Sequence, residues 1–163
     1  MNPNYVAKVK EEIDKLLRVG FIQLVKQATW LSPIVVIPKK NGKIRVCVDC
    51  QKLNAAMLTD AFPLPFTDAI LEAVADDKVY RFLDRFSGYN QIRMHSVDQE
   101  KKTFVTEWGV FMAVVMMFGL KTTPTTFQRI IMEIFREFIV AFMQVFLDDF
   151  AVYNQNREHL DHL

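Results

Sequence analysis

The sequence predicts an α+β fold in which helices pack on antiparallel strands, and three observations point that way. Apolar residues recur at intervals of three and four near the start and again around Ile130, the period of a helix with one buried face. Between these stretches lie β-branched and aromatic runs that end in turn residues, the mark of paired strands. With 163 residues, 51% of them apolar, the chain can bury a sizeable core as one domain, or as one domain with a subdomain.

The first helix is read from Val6, Val9, Ile13, Leu16 and Leu17, with Asn4 placed to cap it and Gly20 to end it. Ser32 to Pro38 is β-branched and bounded by prolines. Lys39-Lys40-Asn41-Gly42-Lys43 then carries the Asn-Gly signal of a tight turn, and the return strand runs from Ile44 to Val48. This hairpin has a basic tip: Lys39, Lys40, Lys43 and Arg45. Pro63 and Pro65 precede a short helix, Thr67 to Val74, with Ile70, Leu71 and Val74 facing inward. In Val79 to Asp84 the apolar character of a strand stops at an aspartate, and Ser87-Gly88-Tyr89 turns the chain. Thr103 to Val115 reads as a strand pair turning near Trp108-Gly109. Thr123 and Pro124 open a helix with Phe127, Ile130, Ile131, Ile134, Phe135 and Phe138 along one side. Finally, Phe142 to Leu147 and Phe150 to Tyr153 form two apolar strands joined by Asp148-Asp149, and a helix-like pattern begins at Arg157. No repeat or low-complexity stretch interrupts this order.

Composition removes several classes of protein. The 14 Phe exceed what a disordered chain carries, and no apolar run is long and charge-free enough for a membrane span. The start lacks a basic stretch followed by an apolar one, so no secretory signal is expected and the expected location is intracellular, cytoplasmic or nuclear. Cys47 and Cys50 fall three apart in an apparent strand, where side chains point to opposite faces, so two unlinked thiols are expected. His159 and His162 lack further ligands at zinc-like spacing. The net charge of +1 decides nothing, because basic residues can gather on one face.

The aspartates are the informative residues. Two adjacent carboxylates raise one another's pKa unless a cation lies between them. Alone, Asp148-Asp149 also suits a solvated turn. Asp84 ends another apolar strand, however, and if the strand units share a sheet, three carboxylates meet at one edge. Hard oxygen ligands with open positions suit Mg²⁺. Two such ions ~4 Å apart can activate a hydroxyl and stabilise a leaving pyrophosphate. The basic hairpin could fold over a triphosphate, with Arg45 offering its planar fork, or could be a lysine-protected surface ribbon.

In order, the motifs Ser32 to Asp49, Leu53-Asn54, Phe62-Pro63-Leu64-Pro65, Phe82-Leu83-Asp84, Ser87 to Ile92, Lys102-Thr103-Phe104, Met116 to Leu120, Pro124, Thr126-Phe127-Gln128 and Phe146-Leu147-Asp148-Asp149 cover nearly the whole chain. The chain resembles the reverse transcriptase of gypsy-class LTR retrotransposons. The resemblance implies the fingers and palm of a polymerase right hand, fingers-rich to about residue 75 and palm-rich from about 76 to 163, with the thumb absent.

It also implies RNA-directed DNA polymerase activity with template-primer and dNTP as partners, within a larger polyprotein. Asp84, Asp148 and Asp149 would bind two Mg²⁺, or Mn²⁺, with Asp84 and Asp148 as direct ligands. Arg45 and Lys39 or Lys40 would hold the phosphates, Tyr89 would lie under the sugar and clash with a 2′-hydroxyl, and Phe118 and Gly119 would border nucleotide and template. Phe127 and Gln128 would belong to the helix beneath. The family pattern has proline at Met117, arginine at Gln51, an aromatic at Cys50 and tyrosine at Phe146; none of these departures removes a metal ligand. The alternative is a decayed or repurposed fragment that binds nucleic acid weakly through the basic hairpin.

Overall fold

The structure, a computed structural model, describes residues 3–40, 43–75, 79–84 and 88–154, with Asp84 described in its backbone only. Asn41, Gly42, Ser87 and the segment carrying Arg157, His159 and His162 lie outside the described residues. The chain forms two units, each built from two stretches: residues 1–58 with 89–123, and residues 59–88 with 124–163.

The first unit holds a five-stranded mixed sheet of β1 (Ile22–Val25), β2 (Ser32–Pro38), β3 (Ile44–Val48), β5 (Thr103–Thr106) and β6 (Gly109–Ala113). Their order is β1-β6-β5-β2-β3, with only the β2–β5 pair parallel. Helix α1 (Pro3–Arg18) packs against β1 and β3. Pro3 takes the first helical turn, so Asn4 lies inside the helix rather than capping it. At the other end Gly20, with φ 74°, donates to Leu17 O and Phe21 N donates to Leu16 O, a paired closure that needs a left-handed residue. Val9 and Ile13 are buried with Ile22, Val48, Phe104 and Phe111 in one core, as the helical periodicity predicts.

Helix α2 (Gln51–Ala56) follows β3 and the four-residue α4 (Ser96–Gln99) precedes β5; neither carries a periodic signal. His95 caps α4 by accepting from Val97 N at 3.4 Å. Both cysteines are free, as expected, but Cys50 stands before α2 rather than on the strand, and burial pushes its thiol pKa up.

The second unit holds α3 (Thr67–Ala75), the antiparallel strands β4 (Val79–Asp84), β7 (Met143–Phe146) and β8 (Asp149–Asn154) in the order β4-β8-β7, and α6 (Arg136–Ala141). Helix α5 (Thr123–Ile134) begins at the boundary and belongs almost wholly to this unit. Helices α3 and α6 pack on β7. Three sequence expectations need correction here. Leu71 of α3 is exposed rather than inward. The single helix expected through Phe138 breaks at Phe135, so Ile134 and Phe138 rotate outward to 62% and 44% exposure. The Asp148-Asp149 junction also differs, because only Asp148 lies in the turn between the strands.

A carboxylate staple holds α5. Asp60 accepts from Phe62 N at 3.1 Å, Thr126 Oγ1 at 3.0 Å and Arg129 Nη2 at 3.4 Å. The Phe62 amide and the Thr126 hydroxyl hold its pKa below the ordinary carboxylate value, with Arg129 adding to the effect.

Candidate active site

In the second unit the sheet register decides where the aspartates fall. Asp84, the last residue of β4, lies directly opposite Asp149, the first residue of β8, and Asp149 lies opposite Phe146 of β7. Directly opposed residues in an antiparallel pair have Cβ atoms about 5 Å apart, and like charges there are destabilising. The connection between β7 and β8 is a two-residue turn made by Leu147 and Asp148, which leaves Asp149 as a strand residue. Asp148 is half-buried, with its Oδ1 withdrawn from solvent, and Asp149 is exposed. One end of the three-stranded sheet therefore gathers Asp84, Asp148 and Asp149 along the backbone. Among the described side chains, which exclude that of Asp84, no cluster of three His, Cys, Asp or Glu forms.

The turn has an unusual backbone. Leu147 adopts φ 54°, at the position where a two-residue hairpin turn ordinarily takes glycine. The wholly buried Gln128 of α5 meets it: its Oε1 accepts from Leu147 N at 2.7 Å and its Nε2 donates to Val145 O at 2.9 Å. Both polar ends of the amide are used on the last residues before Asp148.

The other residues singled out from the sequence belong to the first unit. Lys39, Lys40, Lys43 and Arg45 are all exposed on the β2–β3 hairpin, which Lys39 N closes by donating to Lys43 O at 2.8 Å. Arg45 lies opposite Ile37 on the outward face that also carries Val35, while Ile34, Val36, Ile44 and Val46 face the core. Tyr89 is buried in a 3₁₀ turn (Gly88–Gln91) and meets the exposed Phe118 edge-on, ring centroids 4.9 Å apart and planes at 76°. Phe118 and Gly119 sit on a loop fastened at several points. Asn54 donates to Gly119 O at 2.8 Å and accepts from Lys121 N at 2.9 Å. Lys102 Nζ at 3.2 Å and Thr123 Oγ1 at 3.4 Å donate to Met117 O. Gly119 has φ 107°, and a Cβ there would crowd Cys50 Sγ and Val48 O at 3.4 Å, so both conformation and space favour glycine. Lys102 is only 2% exposed, and burial pulls its pKa down to about 8, partly offset by Cys50.

Sequence reasoning missed three residues near these candidates. Asn54 was visible only as part of a motif, Gln128 only as a member of a helix, and nothing marked Lys102 as buried. A polar amide on an otherwise apolar helix face was the available signal for Gln128.

Residues 37–163 match the family model described as reverse transcriptase (RNA-dependent DNA polymerase). The chain belongs to the reverse transcriptase family. The resemblance drawn from the ordered motifs is thus borne out. Among relatives of this reverse transcriptase chain is the retrovirus-related Pol polyprotein from transposon opus of Drosophila melanogaster, 35% identical over 94% of the chain and 16% of the relative. The transposon Tf2-3 polyprotein of Schizosaccharomyces pombe is 30% identical over 99% of the chain and 12% of the relative. The chain thus spans about a sixth or less of these curated relatives.

The fold matches part of the native prototype foamy virus protease-reverse transcriptase, with a TM-score of 0.86 at 20% identity over 99% of the chain and 22% of the viral protein. The foamy viral protease-reverse transcriptase in complex with an RNA/DNA hybrid matches equally, with a TM-score of 0.86 at 20% identity over 99% of the chain and 22% of that protein.

The residues at the sheet end suit a divalent metal. They offer hard carboxylate oxygens, and two of them occupy directly opposed strand positions that like charges disfavour unless a cation intervenes.

Proposed function

We propose that this chain is the core of an RNA-directed DNA polymerase that transfers nucleotides from dNTPs to a primer 3′-hydroxyl on an RNA or DNA template. The observation that most supports this reading is the register of Asp84 opposite Asp149, with Asp148 in the adjoining turn, in a chain of the reverse transcriptase family. Asp84, Asp148 and Asp149 would hold two Mg²⁺ ions, or Mn²⁺, with Asp84 and Asp148 as the direct ligands and Asp149 supporting them. When bound, such ions supply activation of the attacking hydroxyl and charge stabilisation at the leaving pyrophosphate.

In this reading the chain is fingers-rich to about residue 75 and palm-rich from about 76 to 163. Arg45, with Lys39 or Lys40, holds the triphosphate by charge-assisted hydrogen bonds. In this reading the Tyr89 ring, which meets Phe118 edge-on, lies under the sugar and would clash with a 2′-hydroxyl. Phe118 and Gly119 border the nucleotide and template. A template-primer partner is supported by the foamy viral relatives, solved with dsDNA and with an RNA/DNA hybrid, and the polyprotein relatives support a place within a longer chain.

The test is Mg²⁺-dependent dNTP incorporation on a primed RNA template, by the chain and by its Asp148→Asn variant. Incorporation that the variant abolishes is the expected result. No incorporation by the folded chain, or equal incorporation by the variant, contradicts the reading.

A further inference from the structure

We propose that Gln128 is a positioning residue for the aspartate turn: its amide holds Leu147 in a left-handed conformation and thereby fixes the placement of Asp148. The inference rests on the polymerase reading above and adds a residue to it. A non-glycine residue in the left-handed region costs about 1 kcal/mol or more and persists only where its surroundings over-determine it. Leu147 is the described non-glycine residue with positive φ, and it stands immediately before Asp148. What over-determines it is visible. Gln128 is 0% exposed on α5, so its amide has no water to compete with, and it commits its acceptor to Leu147 N and its donor to Val145 O.

The two hydrogen bonds bracket Phe146 and act as an extra strand edge at the end of β7, where the sheet provides none. They make the amide orientation unambiguous too, because the carbonyl must face an N–H and the amino group a C=O. Methionine has similar length and volume but makes neither bond, so Gln128→Met removes the clamp while filling the space. The turn is then free to leave φ 54°, and Asp148 moves with it. Glycine at Leu147 adopts that φ without strain, so Leu147→Gly makes the turn less dependent on the clamp.

The experiment measures primer extension, Mn²⁺ binding by electron paramagnetic resonance, and thermal unfolding for the chain and for Gln128→Met, Gln128→Met/Leu147→Gly and Asp148→Asn. Expected for Gln128→Met is a kcat lower by on the order of 10²-fold, as for a displacement of about 1 Å at the reacting centre. KM for dNTP stays near the original value, Mn²⁺ binding weakens, and the Leu147→Gly change restores part of both losses. Should Gln128→Met fail to fold, Gln128→Glu keeps an acceptor for Leu147 N but loses the donor to Val145 O, so kcat and Mn²⁺ binding are expected to fall; a folded Gln128→Glu with both unchanged overturns the inference. A folded Gln128→Met with unchanged kcat and Mn²⁺ binding overturns the inference alone, as does a loss that Leu147→Gly leaves unrelieved. Absence of incorporation by the unsubstituted chain overturns the polymerase reading, and this inference with it.

Discussion

Burial of Lys102 is a cost to the fold. Its ammonium is almost fully enclosed and has Met117 O as its hydrogen-bond acceptor, and its pKa falls from 10.5 to about 8. A lowered lysine pKa means that the folded state disfavours the proton. Below pH about 8 the lysine is charged in both states and the cost is fully present; it is relieved as pH rises from about 8 towards 10.5, where the folded chain has released the proton and the unfolded chain has not. The shift corresponds to about 3 kcal/mol, and losing the bond to Met117 O offsets about 1 kcal/mol of any gain. Lys102→Met is therefore expected to be more stable at pH 7 by about 2 kcal/mol, with the difference shrinking towards pH 10. Thermal unfolding of both chains across that range checks it, and a pH-independent difference would contradict the assignment.

Tyr89 makes a prediction of another kind at the same scale. Its ring is buried and meets Phe118 edge-on, and if it lies under the sugar as proposed, Tyr89→Val opens space there. Discrimination between dNTP and rNTP is expected to fall by about tenfold or more, since shape alone separates the two substrates. Kinetics with each nucleotide on one template measure it, and unchanged discrimination would return Tyr89 to a packing role.

Among the elements, those with a strong local pattern were legible. Helix α1 and strands β2 and β3 follow from periodicity and β-branching, and apart from the first residues of α1 they occur where these signals place them. Strand β1 and helix α2 are four and six residues long and carry no periodic signal, so tertiary pairing rather than propensity sets them. The break at Phe135 was hidden because Ile134 and Phe138 continue the apolar spacing; Phe135 instead meets Phe150 of β8 edge-on at 5.6 Å. At the site, the acidic pair was legible as a strand junction. That Leu147 rather than Asp149 shares the turn was not, because a leucine with positive φ breaks the local rule and only the Gln128 amide explains it. The hairpin's basic tip projects four exposed cations, and if they hold the triphosphate as proposed, replacing Lys39, Lys40 and Arg45 with alanine is expected to raise KM for dNTP by about tenfold or more. A KM for dNTP unmoved by the triple substitution would assign the hairpin to the surface ribbon alternative.

At the scale of the whole molecule, each unit is assembled from chain stretches separated in sequence, which no local pattern reveals. Strand β4 and the β7–β8 hairpin are far apart in the sequence, yet their register is what brings Asp84 to Asp149. Long-range pairing of this kind costs loop-closure entropy, and the hydrophobic faces of β7 and β8, with Val145, Phe150 and Val152 buried, supply the driving force. The central claim is that this pairing creates a divalent-metal centre. It is tested most directly by Mn²⁺ titration of the chain, followed by electron paramagnetic resonance, against Asp84→Asn and Asp148→Asn variants of verified fold. The account predicts Mn²⁺ uptake by the unsubstituted chain that either substitution weakens by about tenfold or more, about 1.4 kcal/mol or greater. Uptake that both variants retain unchanged would contradict it.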